Sequence, residues 1–302
     1  MNLKGVNNMS QDREHNEKIY QKFKKEGDVL DNAILCEAIG DDNLLWNPYE
    51  ALYWGKRGIA IREQICGKNN IENTPYYDKI VDVLLIKGSY KEAIKWNNKS
   101  IKIKIKEKGD SCADLLINEL LLSEALSLLY NYVESKVEAD QAYNTLEKNI
   151  AIYDQKMAYN AYMKLLHIYS RYNVGARIRN LKTTLQTEVC GNKAIQIAKV
   201  FYGEQRIETA EAIRQKAMTM KNDKQMALTL FAEAIKIYMN FDDKKYARII
   251  YHNVRQKWDG ENVLIESAKW LYDNSSEKFV LAAINGFASS DKIKIKQALD
   301  LN

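Results

Sequence analysis

The stretch from Ala51 to Gly109 contains one pattern twice. The first copy reads ALYWGKRGIAIREQICG and ends at Gly67; the second begins at Ala93, reads AIKWNNKSIKIKIKEKG and ends at Gly109. Ala51 and Ala93, Ile59 and Ile101, Ile61 and Ile103, and Gly67 and Gly109 are each 42 residues apart. Several matches at one offset, within the range of about 20–50 residues typical of repeat proteins, specify a chain that stacks one supersecondary unit on the next.

The segment between the copies shows what that unit is. Thr74 and Pro75 mark a helix start, Thr as N-cap and Pro at the first helical position. Tyr77, Ile80, Val81, Leu84 and Leu85 follow at spacings that form one apolar helix face. Gly88 is a stop signal. Tyr90, Ala93, Ile94, Asn97 and Ile101 open a second helix, with the small Ala93 where the two helices cross. Ile and Lys alternate from Ile101 to Lys108, which taken alone reads as a strand. The repeat register instead places this stretch at the end of the second helix, and a helix is expected.

The residues Gly88, Ser89, Tyr90, Lys91, Glu92 and Ala93, and the run from Ile59 to Gly67, resemble the tetratricopeptide repeat (TPR). The resemblance is to the long version found in kinesin light chains and many bacterial TPR proteins, and is strongest over 45–110. It implies an all-α fold, a right-handed superhelical solenoid of about six to seven helical hairpins. One departure matters. Two Asn usually found in the first helix of the kinesin-type repeat are replaced by Asp78 and Lys79, so cargo specificity does not carry over.

Along the chain, residues 1–31 read as a polar tail and a helix from about 11 to 26 capped by Ser10. The solenoid is expected over 32–272, and 273–302 as degenerate last helices with a capping helix from Asp291 to Leu301. Gly40 is expected to end a short helix over 32–39. An apolar helix is expected from Leu115 to Val133, its partner over 136–155, and a fourth hairpin turning at Gly175. Further hairpins follow from Ala194 to Met220 and from Gln225 to Lys257. Glu261 to Phe287 forms the last, degenerate pair. No linker rich in Pro, Gly or Ser separates domains.

Composition narrows the class. Only Pro48 and Pro75 occur in 302 residues, which favours helix throughout. The four cysteines show no Cys-x-x-Cys spacing, so neither a zinc framework nor a disulfide pattern is read. Residues 1–18 carry charges without an apolar run, and no stretch of about 18 apolar residues exists. A cytoplasmic protein is expected. His15, His167 and His252 lack metal-ligand spacing, and no phosphate loop or nucleophile motif is present. No enzyme activity, cofactor or metal is expected.

The charge of +5 is uneven: residues 1–150 carry 21 basic and 24 acidic residues, net −3, and residues 151–302 carry 24 and 16, net +8.

Within the TPR resemblance, the first helix of each hairpin lines a concave groove, and fixed repeat positions project into it. Applied here, these positions fall on Asp78, Asp82, Asn131, Asn160, Lys164, His167, Lys199, Tyr202 and Lys236. The groove is then acidic at one end and basic at the other, with Lys164, Lys199 and Lys236 at equivalent positions. The lysine and asparagine positions of the chaperone-binding carboxylate clamp fall on Cys36 and Gly40, so that specificity is excluded. The expected function is a scaffold or adaptor whose groove binds a protein or peptide segment of acidic character. The alternatives are a bacterial peptide-sensing regulator of the TPR type and nucleic-acid binding through the basic C-terminal half. The latter is disfavoured because aromatic and basic residues do not interleave.

Overall fold

The computed structural model describes residues 13–21, 24, 29–44, 46–110, 112–179, 181–220, 223–241, 244–258 and 262–301. The expected Ser10 cap, the end of the first helix near 26 and Gly27 lie outside them. Every regular element among the described residues is helical. Two compact units are present, one of residues 1–150 with 174–180, the other of 151–173 with 181–302.

The first unit contains helical residues 13–21, then α1 (Val29–Asn43), α2 (Pro48–Cys66), α3 (Thr74–Ile86), α4 (Tyr90–Lys108), α5 (Leu115–Leu128) and α6 (Tyr132–Lys148). The two sequence copies are α2 and α4, and they end alike. Gly67 caps α2 with φ 86°, its N–H donating to the Glu63 carbonyl at 3.1 Å; Gly109 caps α4 with φ 85°, donating to Ile105 at 2.9 Å. Such a φ favours glycine, which is why both copies close on it. The Ile/Lys alternation from Ile101 to Lys108 is helical.

The repeat also carries its polar contacts with it. The Arg57 guanidinium lies 3.8 Å from the Tyr20 ring centre and 5.2 Å from Trp54, and donates to Glu17 at 2.7 Å. Forty-two residues on, the Lys99 ammonium lies 4.2 Å from Tyr77 and 5.3 Å from Trp96, and donates to Glu63 at 2.5 Å. In both copies a cation sits over two rings and pairs with a carboxylate from a neighbouring helix. Cation–π contacts of this kind stabilise by about 0.5–2 kcal/mol each. Arg62 pairs with Glu37 across α2 and α1, and Lys104, again 42 residues on, pairs with Asp78 across α4 and α3.

Glycines in this unit pack helices as well as ending them. Contrary to the expected stop, α1 runs through Gly40 to Asn43. A Cβ on Gly40 would stand 3.3 Å from the Ala51 carbonyl oxygen, and one on Gly58 would stand 3.2 Å from that of Ala33. Bare glycine surfaces thus let α1 and α2 approach closely. Above them Tyr77, Ile80, Val81 and Leu84 of α3 pack with Ala93 and Ile103 of α4 in one buried cluster.

The α5–α6 hairpin is fastened by two serines: Ser123 Oγ donates to the Ser135 carbonyl at 2.6 Å, and Ser135 Oγ returns a bond to Ser123 at 2.8 Å. Helix α5 stops at Leu128, short of the expected Val133. Tyr130 takes φ 63°, and the Asn131 N–H reaches back to the Leu126 carbonyl at 3.0 Å. This is the left-handed helix ending usually built with glycine, and tyrosine gives no sequence signal for it.

A single helix α7 (Gln155–Ile178) replaces the expected fourth hairpin. Gly175 lies within it, and a Cβ there would stand 2.2 Å from the Tyr132 ring, so this glycine makes room for an aromatic side chain of the first unit to which 174–180 belong.

In the second unit, α7 residues up to 173 run antiparallel to α8 (Gln186–Phe201). Asn173 bonds to both the N–H and the carbonyl of Thr184, at 2.8 and 3.0 Å, while Tyr159 OH donates to the Glu208 carbonyl at 2.9 Å. Helices α9 (Ile207–Thr219), α10 (Lys224–Tyr238), α11 (Lys244–Arg255), α12 (Val263–Asp273), α13 (Glu277–Ile284) and α14 (Ser289–Ala298) follow. Phe231, Tyr238, Ile250, Leu271, Val280 and Ile295 share their core.

Candidate partner-binding surface

The expected groove residues fall into different physical situations. Asp78 is turned inward. Its carboxylate accepts from Lys104 Nζ at 2.7 Å and from Asn118 Nδ2 at 2.7 Å, and Lys104 also donates to Asn118 Oδ1 at 2.6 Å. Asn118 continues to Asn97 Oδ1 at 2.9 Å, and Asn97 returns a bond to the Asn118 carbonyl at 3.0 Å. All four side chains are buried. The Asp78 carboxylate therefore joins α3, α4 and α5. One turn further along α3, Asp82 is exposed, so these two residues face different surroundings despite their helical spacing.

Asn131 is exposed in the turn before α6 and lies on no helix. Asn160, Lys164 and His167 share one face of α7, with Asn160 and His167 exposed and Lys164 half-buried. Tyr202 follows the last turn of α8 and its ring meets Tyr159 edge-on at 5.4 Å, an aromatic contact between α7 and α8. Lys199 donates to Glu233 of α10 at 3.1 Å, three residues before the exposed Lys236. A carboxylate of the chain itself thus offsets part of the lysine charge expected to be open.

Asp82 belongs to a cavity of about 260 Å³ between α1 and α3. Ala51 and Gly55 of α2 form its floor, Leu44, Tyr76, Ile80 and Val83 its apolar walls, and Glu37, Asp41, Lys79 and Asp82 its rim. The geometry follows from the small residues. Helices α1 and α3 both pack on α2, and Gly55 offers no side chain to fill the space between them. A Cβ on Gly55 would stand 2.8 Å from Ile80 Cδ1. The rim charges are ordered: Arg62 donates to Glu37 at 3.0 Å, and Lys79 donates to Asp41 at 2.6 Å. Glu37, Asp41, Tyr76 and Lys79 were not legible as site residues in the sequence. The only available signal was the cluster of Gly40, Ala51, Gly55 and Gly58, which marks a close helix crossing.

Buried titratable groups lie elsewhere. Burial pushes the Cys36 thiol up to about 11, well above the range of a reactive cysteine. Burial also raises the Glu119 carboxyl, against the lowering effect of hydrogen bonds from Thr145 and Gln141, and raises Glu138 with a further push from Glu119. Glu211 goes the other way. Burial opposes its ionisation, yet Arg214, Gln215 and Tyr238 together hold it below the usual carboxylate range. Among the described residues no group of three His, Cys, Asp or Glu side chains is placed to hold a metal ion. No helix among them is long and apolar enough to cross a membrane.

Antiparallel helices in series, repeated contacts and a cleft between alternate helices define an all-α helical-repeat protein. No protein-family model matches the chain, and no curated protein matches it. Among solved structures it is similar to BtubC (BKLC) from P. vanneervenii, a bacterial kinesin light chain-like protein of TPR-type helical repeats. The identity is 13%, the TM-score 0.52, and the match covers 82% of this chain and 93% of that one. At that identity the likeness carries the fold alone.

Proposed function

We propose that the chain is a protein-interaction scaffold of the TPR type, and that the face formed by α1 and α3 receives an extended or helical segment of a partner protein. The observation that supports this most is the cavity between α1 and α3, with an apolar floor and a charged rim. A partner side chain of moderate size fits there, its flanking groups meeting Asp82 and Lys79. Helical repeats bind by presenting such a surface on rigid elements and need no reacting group.

Site-specific photocrosslinking tests the proposal. A photoreactive residue at Asp82 should capture a discrete partner, and one at Lys95 or Lys102, exposed on α4, should not. Equal capture from both faces, or none from Asp82, would count against it.

A further inference from the structure

The second unit has a larger recess that the α1–α3 reading does not use. It measures about 680 Å³ and lies against the turn after α10 and against α11 and α13. Met239 and Phe241 beyond the end of α10, Ala247 of α11, and Phe279, Leu281 and Ala282 of α13 give it an apolar lining. Lys244, Lys278, Glu277 and Asn285 stand at its edge.

One wall continues into a basic surface. Helix α11 reads KKYARIIYHNVR and contains no acidic residue. Its buried side is Ala247, Ile250, Tyr251 and Val254; Lys244, Arg248, His252 and Arg255 recur at helical spacing on the other side and are all exposed. The Arg248 guanidinium carbon comes to 4.0 Å from where a Cβ on Gly286 would stand, next to Asn285 at the recess edge. Among the described residues no ion pair forms to Lys244, Arg248 or Arg255. Glu277 is the acid at the recess edge among the described residues, and Asp242 and Asp243 directly precede Lys244 in the sequence.

We propose that the recess between α11 and α13 docks an acidic, amphipathic segment of a partner protein. Its apolar side chains enter the lining and its carboxylates face Lys244 and Arg248. Charge complementarity selects this occupant. An apolar floor beside a one-signed helix face fits a segment with Leu or Phe on one side and Asp or Glu on the other. A nucleic acid would gain from the cations and nothing from the floor. The inference rests on the scaffold reading but uses a different surface.

The test is fluorescence anisotropy with the full chain. The probe is a fluorescein-labelled synthetic peptide with Leu or Phe at helical spacing and Asp and Glu between. A Lys-for-acid version, a Ser-for-apolar version and a single-stranded RNA oligonucleotide serve as controls. The acidic peptide should bind, and more weakly as salt rises. Lys244→Glu with Arg248→Glu should weaken it about tenfold or more at low salt. Asn285→Trp, which lays an indole across the opening from an exposed position, should do the same at any salt. Substitutions at exposed positions leave folding nearly unchanged, and circular dichroism verifies this. No binding of the acidic peptide, no effect of either variant, or tighter binding of the oligonucleotide would overturn the proposal. Binding lost on Asp82→Trp and kept by both recess variants would also overturn it while leaving the scaffold reading in place.

Discussion

Replacing Lys104 by Met removes the cation around which Asp78, Asn118 and Asn97 are arranged. Lys104 donates to Asp78 at 2.7 Å, to Asn118 at 2.6 Å and to the Asp114 carbonyl at 3.2 Å. Methionine fills most of the aliphatic volume, so the effect is electrostatic. Breaking one side of a buried pair costs about 3–5 kcal/mol, because the remaining charge is left uncompensated. Asp78 keeps its bond from Asn118 at 2.7 Å, which puts the expected loss at the lower end, about 3 kcal/mol. The chain has two compact units, so a single melting curve is a poor readout. Hydrogen exchange reads the site locally. Peptides from α3, α4 and α5 should exchange about two orders of magnitude faster, the equivalent of that free energy. Peptides from α10 and α11 should not change. The double change Asp78→Leu with Lys104→Met should recover most of the protection, since replacing a whole buried pair by apolar groups is often near neutral. Exchange in Lys104→Met within about threefold of wild type, under 1 kcal/mol, would refute the reasoning. So would a double variant no better protected than the single one.

Three further predictions concern the helices and the buried groups. Gly175→Ala places a methyl 2.2 Å from the Tyr132 ring. It should destabilise by about 1–3 kcal/mol through overpacking, yet stabilise by about 1 kcal/mol in a Tyr132→Ala background, where only helix propensity remains; a double-mutant cycle without that change of sign would disprove the packing role. Glu119 holds its proton to higher pH in the folded protein because it is buried, so the unfolded chain binds fewer protons over that interval and stability falls as pH rises from the ordinary carboxylate range to the raised value. Glu119→Gln should therefore flatten the decline in Tm as pH rises above the ordinary carboxylate range, and an unchanged pH profile would contradict it. Cys66 and Cys112, half-buried, should react with a thiol reagent in the native protein, while the buried Cys36 and Cys190 react only on unfolding; mass spectrometry of the labelled peptides would reveal early modification of Cys36 if this is wrong.

What could be read from the sequence was what depends on local chemistry. The offset between the two copies is matched by helices α2 and α4, by their glycine caps at Gly67 and Gly109, and by Ala51 and Ala93 at buried helix crossings. Register overrode alternation at Ile101–Lys108 because a helix ending on a capped glycine satisfies the backbone there. Glycine was also the main source of error. Gly40 and Gly175 carry the same one-residue signal as a helix stop, and only the partner helix or ring shows that the missing Cβ is filled from outside. Tyr130 ends α5 in a conformation for which tyrosine gives no warning.

The candidate site was partly legible. The groove rule reached Asp82 but gave Asp78 the same standing, because helical spacing does not say that a Lys on the next helix will claim one carboxylate. Likewise Lys199 was visible and its partner Glu233 was not. The basic composition of residues 151–302 was visible in the sequence, but the recess takes its apolar lining from the turn after α10, from α11 and from α13, and so appears only in the folded chain.

The central claim, that the face of α1 and α3 receives a partner segment, is tested most directly by titrating the partner captured at Asp82 against three forms of the chain. These are wild type, Asp82→Trp, which covers the α1–α3 cavity from an exposed position, and Lys95→Glu, on the exposed side of α4. The account predicts that Asp82→Trp weakens binding about tenfold or more, roughly 1.4 kcal/mol, while Lys95→Glu leaves it within about twofold. Affinity untouched by Asp82→Trp, or lowered equally by both, would contradict it.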